Sequence, residues 1–233
     1  MSKTTRGEFI ETSMWAAVAT TEAAATPGML FAEDQQSSSP NEKLGVACVG
    51  VKGRGGSHIG AYAGRKDTEI LYICDADRDV GNSRADGVAQ KQKNRPKFEE
   101  DIRKVLEDDS VDIVCIATPN HWHALGAIWA IQAGKDVYVE KPVSHNVLEG
   151  RRIVEAARKY GKICQTGTQS RSNPGMREIM QAIHDGKIGD VKVARGLCYK
   201  PRGSIGPRGD YDVPKSVNYD LWSGPADVMP LTR

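Results

Sequence analysis

The chain has 233 residues, which is enough for one complete domain and part of another. Hydrophobic residues make up 39% of it and charged residues 27%, an ordinary balance for a globular protein. The net charge of +2 comes from interspersed acidic and basic residues, so the sequence gives no reason to expect nucleic acid or a strongly acidic partner.

Residues 1–43 are predicted to be a signal and a linker rather than part of a folded domain. Residues 4–10, TTRGEFI, resemble a twin-arginine export signal in which Gly7 replaces the second arginine, and a short apolar segment follows. Glu11 and Glu22 interrupt the basic and apolar parts. Two hypotheses therefore stand: export to the periplasm by a degenerate signal, or a cytoplasmic protein with a disordered tail. The apolar segment is too short and too broken to span a bilayer, so no membrane partner is expected.

A glycine-rich turn follows the first predicted strand, Leu44–Val49, and precedes a helix predicted over residues 57–64. Its candidate phosphate-binding residues are Gly50, Lys52, Gly53, Arg54 and Gly55. In the dinucleotide fingerprint Gly-x-Gly-x-x-Gly, the second glycine lets the backbone approach the pyrophosphate. Lys52 holds that position here, so either close approach is lost or Gly53 takes it over while Lys52 or Arg54 supplies positive charge. An ordinary turn is the alternative.

The second predicted strand, residues 69–74, ends at Asp75, close to the spacing from Gly50 that a ribose-binding acid needs. A carboxylate there accepts hydrogen bonds from ribose hydroxyls and repels a 2′-phosphate, which favours NAD. Arg78 keeps NADP possible, because a guanidinium can pair with that phosphate. The alternative is that Asp75 only caps the following turn.

The apolar pattern then alternates between helices and strands. A helix is predicted over 79–93, an edge strand over 96–98, a helix around Ile102 and Val105, and a strand over 111–117 that is apolar enough to be buried on both faces. This alternation is typical of a doubly wound parallel sheet in the α/β class. The five cysteines lie in or beside predicted strands and are expected to be buried small residues: Cys48, Cys74, Cys115, Cys164 and Cys198.

A second helix–strand unit ends in a charged triplet. Helical spacing begins at His121 and stops at Gly134, and the strand 137–139 runs into Glu140, Lys141 and Pro142. The carboxyl ends of parallel strands form the ligand-binding edge of such a sheet, so Lys141 is a candidate for chemistry. The alternative is a surface lysine that happens to follow a strand.

Three more elements are predicted with their boundaries. A helix over 146–160 begins with an Asn146–Glu149 capping pair, and its buried stripe is predicted to be Val147, Val154, Ala157 and Tyr160. A strand over 163–166 completes the first domain. A helix over 174–185 and a strand over 191–199 then open a second domain.

The segments ATPNHWH and AGKDVYVEKP together resemble the central signature of the Gfo/Idh/MocA family, from about Leu44 to the end of the chain. Its members are NAD(P)-dependent oxidoreductases that act mostly on sugars and cyclitols. The resemblance implies a Rossmann domain at 44–167 and, at 168–233, the incomplete start of a C-terminal α/β domain for substrate binding and oligomerisation. It also implies that full-length members are homo-oligomers and that the present chain is truncated.

The resemblance also implies site residues. Lys141 is the expected catalytic residue, whose ammonium stabilises charge on the reacting oxygen. Asn120 and His123 are expected near the nicotinamide ribose, and Glu140 is expected to orient Lys141. The further expected cofactor-binding residues are Thr118 and Pro119, and Glu140 and Lys141 are also expected to take part in cofactor binding. The usual proton-accepting histidine would lie beyond Arg233.

The remaining histidines are not expected to bind metal. His121 and His123 have the spacing of a metal pair, but no third ligand is evident nearby. His58, His145 and His184 are expected to be helix-surface or capping residues.

Three functional hypotheses follow. The leading one is a nicotinamide-dependent oxidoreductase that moves hydride between NAD(P) and a sugar, cyclitol or sugar derivative. The second, implied by family relatives, is a glycosidase that holds NAD and oxidises its sugar transiently. The third is a truncated fragment that binds cofactor without activity.

Overall fold

A six-stranded parallel sheet forms the centre of the computed structural model, which describes residues 43–201 and 203–232. The strands are β1 (Leu44–Val49), β2 (Thr68–Cys74), β3 (Lys97–Glu99), β4 (Ile113–Ile116), β5 (Asp136–Glu140) and β6 (Cys164–Gly167). Their order across the sheet is β3-β2-β1-β4-β5-β6, and every neighbouring pair is parallel. The strand order reverses between β1 and β4, which makes the carboxyl ends of those strands the binding crevice of a doubly wound fold. The predicted Rossmann sheet is thus confirmed.

Helices connect the strands and continue beyond them. Within the described residues they are α1 (Gly55–Tyr62), α2 (Arg78–Gln92), α3 (Ile102–Leu106), α4 (His123–Gln132), α5 (Val147–Tyr160), α6 (Pro174–His184) and α7 (Tyr219–Ser223). Short 3₁₀ helices at Asn120–Trp122 and Gln169–Ser172 follow β4 and β6. None of the helices in these ranges has the length and apolar character needed to cross a membrane.

Both faces of the sheet are covered, which explains the near-continuous apolar strands. Val46 of β1 belongs to a buried cluster with residues of α1 and α2, whereas Ala47, one position later, belongs to a cluster with residues of α4 and α5. Cys48, Cys74 and Cys115 are buried as predicted. Cys164 is only half-buried and Cys198 is exposed, so the prediction of burial was wrong for Cys198.

Helix α5 presents a different face to the sheet from the one predicted. The capping pair is confirmed, since the Asn146 side chain accepts from the Glu149 N–H at 2.9 Å. The predicted stripe is wrong at Val147, Val154 and Tyr160, which are 91%, 40% and 41% exposed, and Ala157 is partly buried. The buried residues are Ile153 and Ala156. Both stripes are consistent with a helical period, and packing against α4 selects the one that contains Ile153.

The strand predicted over 191–199 is not formed. These residues lie outside any strand, and their alternating apolar side chains are exposed at Val191, Val193, Leu197 and Tyr199. A strand needs a neighbour to satisfy its backbone N–H and C=O groups, and no second sheet is present in the described residues.

Two glycines of α2 make a matched test of the fold. A Cβ added at Gly81 would overlap the Phe98 ring, whereas one added at Gly87 meets nothing within 4 Å. We expect Gly81→Ala to lower the free energy of unfolding by about 1–3 kcal/mol, because the clash forces a packed ring to move.

Gly87→Ala should raise the same quantity by about 0.5–1 kcal/mol, because alanine is the better helix former. Urea denaturation of both variants measures the difference. A Gly81→Ala protein as stable as Gly87→Ala would show that the α2–β3 packing described here is incorrect.

Candidate dinucleotide and active site

A cavity of about 540 Å³ lies at the carboxyl edge of the sheet, at the reversal between β1 and β4. Turns after four strands, β1 to β4, line one side of it, and residues between 213 and 231 line the other. The predicted site residues among its lining are Gly50, Lys52, Gly53, Asp75, Thr118 and Pro119. Its volume is within the range of about 300–1,000 Å³ that is usual for small-molecule sites.

The glycines of the turn after β1 have two different roles: some are required by close packing, and one leaves space toward the cavity. Gly50 has φ +77°, and a Cβ there would lie 2.5 Å from the Thr118 nitrogen. A Cβ at Gly55 would overlap the Gly50 carbonyl oxygen, so both positions need glycine for the fold itself. Gly53, in contrast, has no atom within 4 Å of its added Cβ and lines the cavity. The turn therefore fits the close approach of a pyrophosphate at Gly53, next to the first turn of α1.

Asp75 joins the exit of β2 to this turn. One carboxylate oxygen accepts from the Val51 N–H at 2.7 Å, and the other accepts from the Asp77 N–H at 3.0 Å. The cap of α2 is Asp77, whose side chain accepts from Asp79 and Val80. Asp75 therefore caps the turn that follows β2 and also lines the cavity, while Asp77 caps the helix.

The cavity side near Asp75 is acidic. Its lining includes the carboxylates Asp75, Asp77, Glu100 and Asp101. Hydrogen bonds from Arg103 hold the pKa of Asp101 below its usual value. Arg78, which was considered for a 2′-phosphate, pairs with Glu100 at 3.1 Å and donates to the Lys215 carbonyl at 3.0 Å.

The far wall of the cavity comes from residues that follow the sheet by a long distance in sequence. Two backbone hydrogen bonds attach it to the residues after β2, Arg78 N to Ser216 O at 2.9 Å and Asn218 N to Ala76 O at 2.8 Å, and together they form the antiparallel bridge Asp77–Val217. We call residues 213–222 the wall segment. Sequence reasoning did not place it, because its partners are separated from it by 99 positions or more in sequence.

Aromatic residues fix the end of the wall segment. Trp122 donates from its indole nitrogen to the Leu221 carbonyl at 2.9 Å, and a Cβ at Gly224 would overlap the Trp122 ring. A ring nitrogen of His121 lies 2.9 Å from the Trp222 carbonyl oxygen. Trp122 and His121 are therefore engaged in holding the wall segment.

Glu140 forms a buried cluster at the end of β5. Its carboxylate accepts from Arg54 at 2.8 Å and lies 3.1 Å from His58 Nε2. Burial acts to raise the pKa of Glu140, but hydrogen bonds from Arg54 and His58 outweigh it, so the pKa is below its usual value and the carboxylate is ionised. A Cβ at Gly167 would lie 2.8 Å from Glu140 Oε1, so glycine leaves room for the carboxylate. Within the described ranges, this carboxylate contacts Lys141 only through the Lys141 backbone N–H, which donates to it at 3.3 Å.

His58 was wrongly predicted to be a surface or capping residue. It is buried, and its ring packs edge-on against Tyr138. The sequence signal that was available is the apolar spacing of α1, which places His58 beside Ile59 on the buried side.

The remaining predicted site residues lie after β4 and β5. Asn120 and Lys141 are exposed, and Thr118 Oγ1 is a buried hydroxyl with no hydrogen-bond partner among the described residues. His123 is 2% exposed and is absent from the cavity lining. Its ring nitrogens lie against the carbonyl oxygens of Pro142 and Thr118.

Comparisons with known proteins agree with this geometry. Residues 44–168 match the model of the Gfo/Idh/MocA oxidoreductase family, described as having an NAD-binding Rossmann fold. An α-N-acetylgalactosaminidase of Shewanella oneidensis is 29% identical over 64% of this chain and 34% of its own length. The chain thus spans about a third of that curated relative.

Two solved structures are also similar. GenD2 from gentamicin A biosynthesis, in complex with NAD, is 27% identical, with a TM-score of 0.57 over 65% of this chain and 42% of its own. The WlbA dehydrogenase of Bordetella pertussis, in complex with NADH and UDP-GlcNAcA, is 26% identical, with a TM-score of 0.55 over 64% and 42%. Together with the match over more than half of the sequence, these likenesses show that the chain belongs to the Gfo/Idh/MocA oxidoreductase family and carries its NAD-binding Rossmann domain.

Proposed function

We propose that the protein containing this chain is an NAD-dependent oxidoreductase that moves hydride between the cofactor and a sugar, cyclitol or sugar derivative. The observation that carries the proposal is the position of Lys141. It is exposed immediately after β5, at the same sheet edge as the glycine turn and Asp75. A cation at this sheet edge can stabilise the negative charge that develops on a substrate hydroxyl as it loses its proton.

The cofactor would be held by groups of the cavity. The turn at Gly53 would receive the pyrophosphate, and Asp75 would accept hydrogen bonds from the ribose. The acidic lining and the prior pairing of Arg78 with Glu100 favour NAD over NADP. Bound NAD supplies the hydride acceptor, while Lys141 donates a hydrogen bond to the substrate oxygen and stabilises its charge as the proton leaves.

A second candidate function is glycoside cleavage. It is favoured by the likeness to an α-N-acetylgalactosaminidase. In such a reaction bound NAD would take hydride from the sugar and return it after the leaving group has departed and water has added in its place, so no net NADH would form. Release of a sugar from a glycoside without accumulation of NADH would favour this function, and stoichiometric NADH would favour the dehydrogenase.

The organisation of the longer protein is also a proposal. We infer that residues 168–233 begin a second, substrate-binding domain and that the full-length protein is a homo-oligomer, as the family resemblance implies. Export by the signal-like residues 4–10 is the favoured localisation, with the cytoplasm as the alternative, and those residues lie outside the described ranges. The third hypothesis, a fragment that binds cofactor without turnover, applies to this chain when it is produced alone.

Cofactor preference gives the first functional prediction. We expect the 233-residue chain to bind NADH saturably and NADPH at least about tenfold more weakly, because the acidic cavity repels a further phosphate. Asp75→Asn should weaken NADH binding about tenfold or more, since a charged acceptor for the ribose is lost. Energy transfer from tryptophan to the reduced nicotinamide follows both titrations.

The matched control is Asp79→Asn, which neutralises an exposed carboxylate of α2 outside the cavity lining. It should bind both cofactors as the unsubstituted chain does. Equal affinity of the unsubstituted chain for NADH and NADPH would contradict the assignment of the acidic lining.

Lys141 gives the second functional prediction. In the full-length protein, Lys141→Ala should lower kcat for sugar oxidation about 10²- to 10³-fold, because a preorganised donor to the reacting oxygen is removed. The Kd for NADH should change little, since Lys141 is not in the cavity lining. Lys159→Ala, a substitution of an exposed lysine on α5, is the control. Unchanged kcat in Lys141→Ala would remove this residue from the mechanism.

A further inference from the structure

The ring of His123 is held between two hydrogen-bond acceptors. Nδ1 lies 2.6 Å from the Pro142 carbonyl oxygen, and Nε2 lies 2.8 Å from the Thr118 carbonyl oxygen. A carbonyl oxygen can only accept, so each contact is a hydrogen bond only if that ring nitrogen carries hydrogen. Neutral imidazole has one N–H and imidazolium has two. Both bonds therefore exist together only when His123 is doubly protonated.

The two carbonyls belong to the exits of neighbouring strands. Thr118 follows β4 and lines the cavity, while Pro142 follows Lys141 at the end of β5. The last paired residues of β4 and β5 are Ile116 and Val139, so pairing of the two strands does not connect Thr118 with Pro142. His123 joins them instead, from the first position of α4.

Glu140 acts on the same short segment from the other side. Its carboxylate accepts from the Lys141 backbone N–H at 3.3 Å and is itself bound by Arg54 of the glycine turn. The backbone of Lys141 is thus fixed before the residue by Glu140 and after it by His123.

We propose that His123 is a positioning residue that, with both ring nitrogens donating, ties the Thr118 turn to the carbonyl of Pro142, the residue that follows Lys141. It aligns the Lys141 ammonium with the cavity and does not itself contact cofactor or substrate. The expected effect on catalysis rests on the proposed function, whereas the two hydrogen bonds from the His123 ring do not depend on it.

The double hydrogen bond is tested directly on the 233-residue chain. In a sample labelled with ¹⁵N-histidine at neutral pH, His123 should show two protonated ring nitrogens. Its signals are identified by their absence in His123→Asn, and His145→Asn, which changes an exposed histidine, serves as the control. A His123 ring with a single protonated nitrogen would overturn the proposal, whatever the activity of the protein.

Two amide substitutions separate the two ends of the bridge. Asparagine places its nitrogen near Nδ1 and preserves donation to Pro142, while glutamine reaches the position of Nε2 and preserves donation to Thr118. In the full-length protein, His123→Gln should lower kcat about 10- to 100-fold, since the Pro142 carbonyl loses its donor and a small misplacement is costly to rate. His123→Asn should lower kcat by a smaller factor and should weaken NADH binding, because the freed Thr118 turn lines the cavity.

Equal losses of kcat in the two variants would overturn the positioning role. Failure of the proposed function has a different signature: Lys141→Ala would leave sugar oxidation unchanged, and the two protonated nitrogens of His123 would still be observed. Circular dichroism of both His123 variants shows whether each still folds, and NADH titration gives the binding half of the comparison.

Discussion

The need to bury both faces of a parallel sheet governs this structure. Helices must cross over the two faces between successive strands, so all strands run the same way and all their carboxyl ends meet at one edge. Residues from distant parts of the chain are brought together there. The closeness is visible at Gly50, where the position of an absent Cβ is 2.5 Å from the Thr118 nitrogen.

Charge is distributed unevenly along that edge. The part that faces β2 and the wall segment carries carboxylates, and its arginine, Arg78, is paired with Glu100. Toward β5 the cations Arg54 and Lys141 are present, and the buried Glu140 carboxylate binds Arg54. A dinucleotide lying across the strand-order reversal would therefore have its adenosine end on the acidic side and its reactive end near the cations, in agreement with the family's cofactor.

Local patterns predicted the parts of this molecule that local physics decides. The apolar runs gave all six strands, the asparagine cap placed the start of α5, and the spacing of glycines marked the turn after β1. The face of α5 was not decided locally, because two stripes satisfy the same period and only contact with α4 distinguishes Val147 from Ile153. Nor could spacing reveal that Glu140 binds Arg54, a residue 86 positions earlier. Apolar side chains alternate along the segment 191–199 as they do in a strand. This pattern predicts only which side chains share a face, whereas a strand also needs a neighbouring strand for its backbone hydrogen bonds.

The position of the wall segment has a consequence for the order in which the cavity is made during synthesis. The last strand of the sheet ends at Gly167, and the wall segment begins at residue 213. Domains fold as units from the amino end while the ribosome is still working. The sheet edge, with its glycine turn and Asp75, therefore emerges while one side of the cavity is open to solvent. A nucleotide can reach that edge before the wall segment is present.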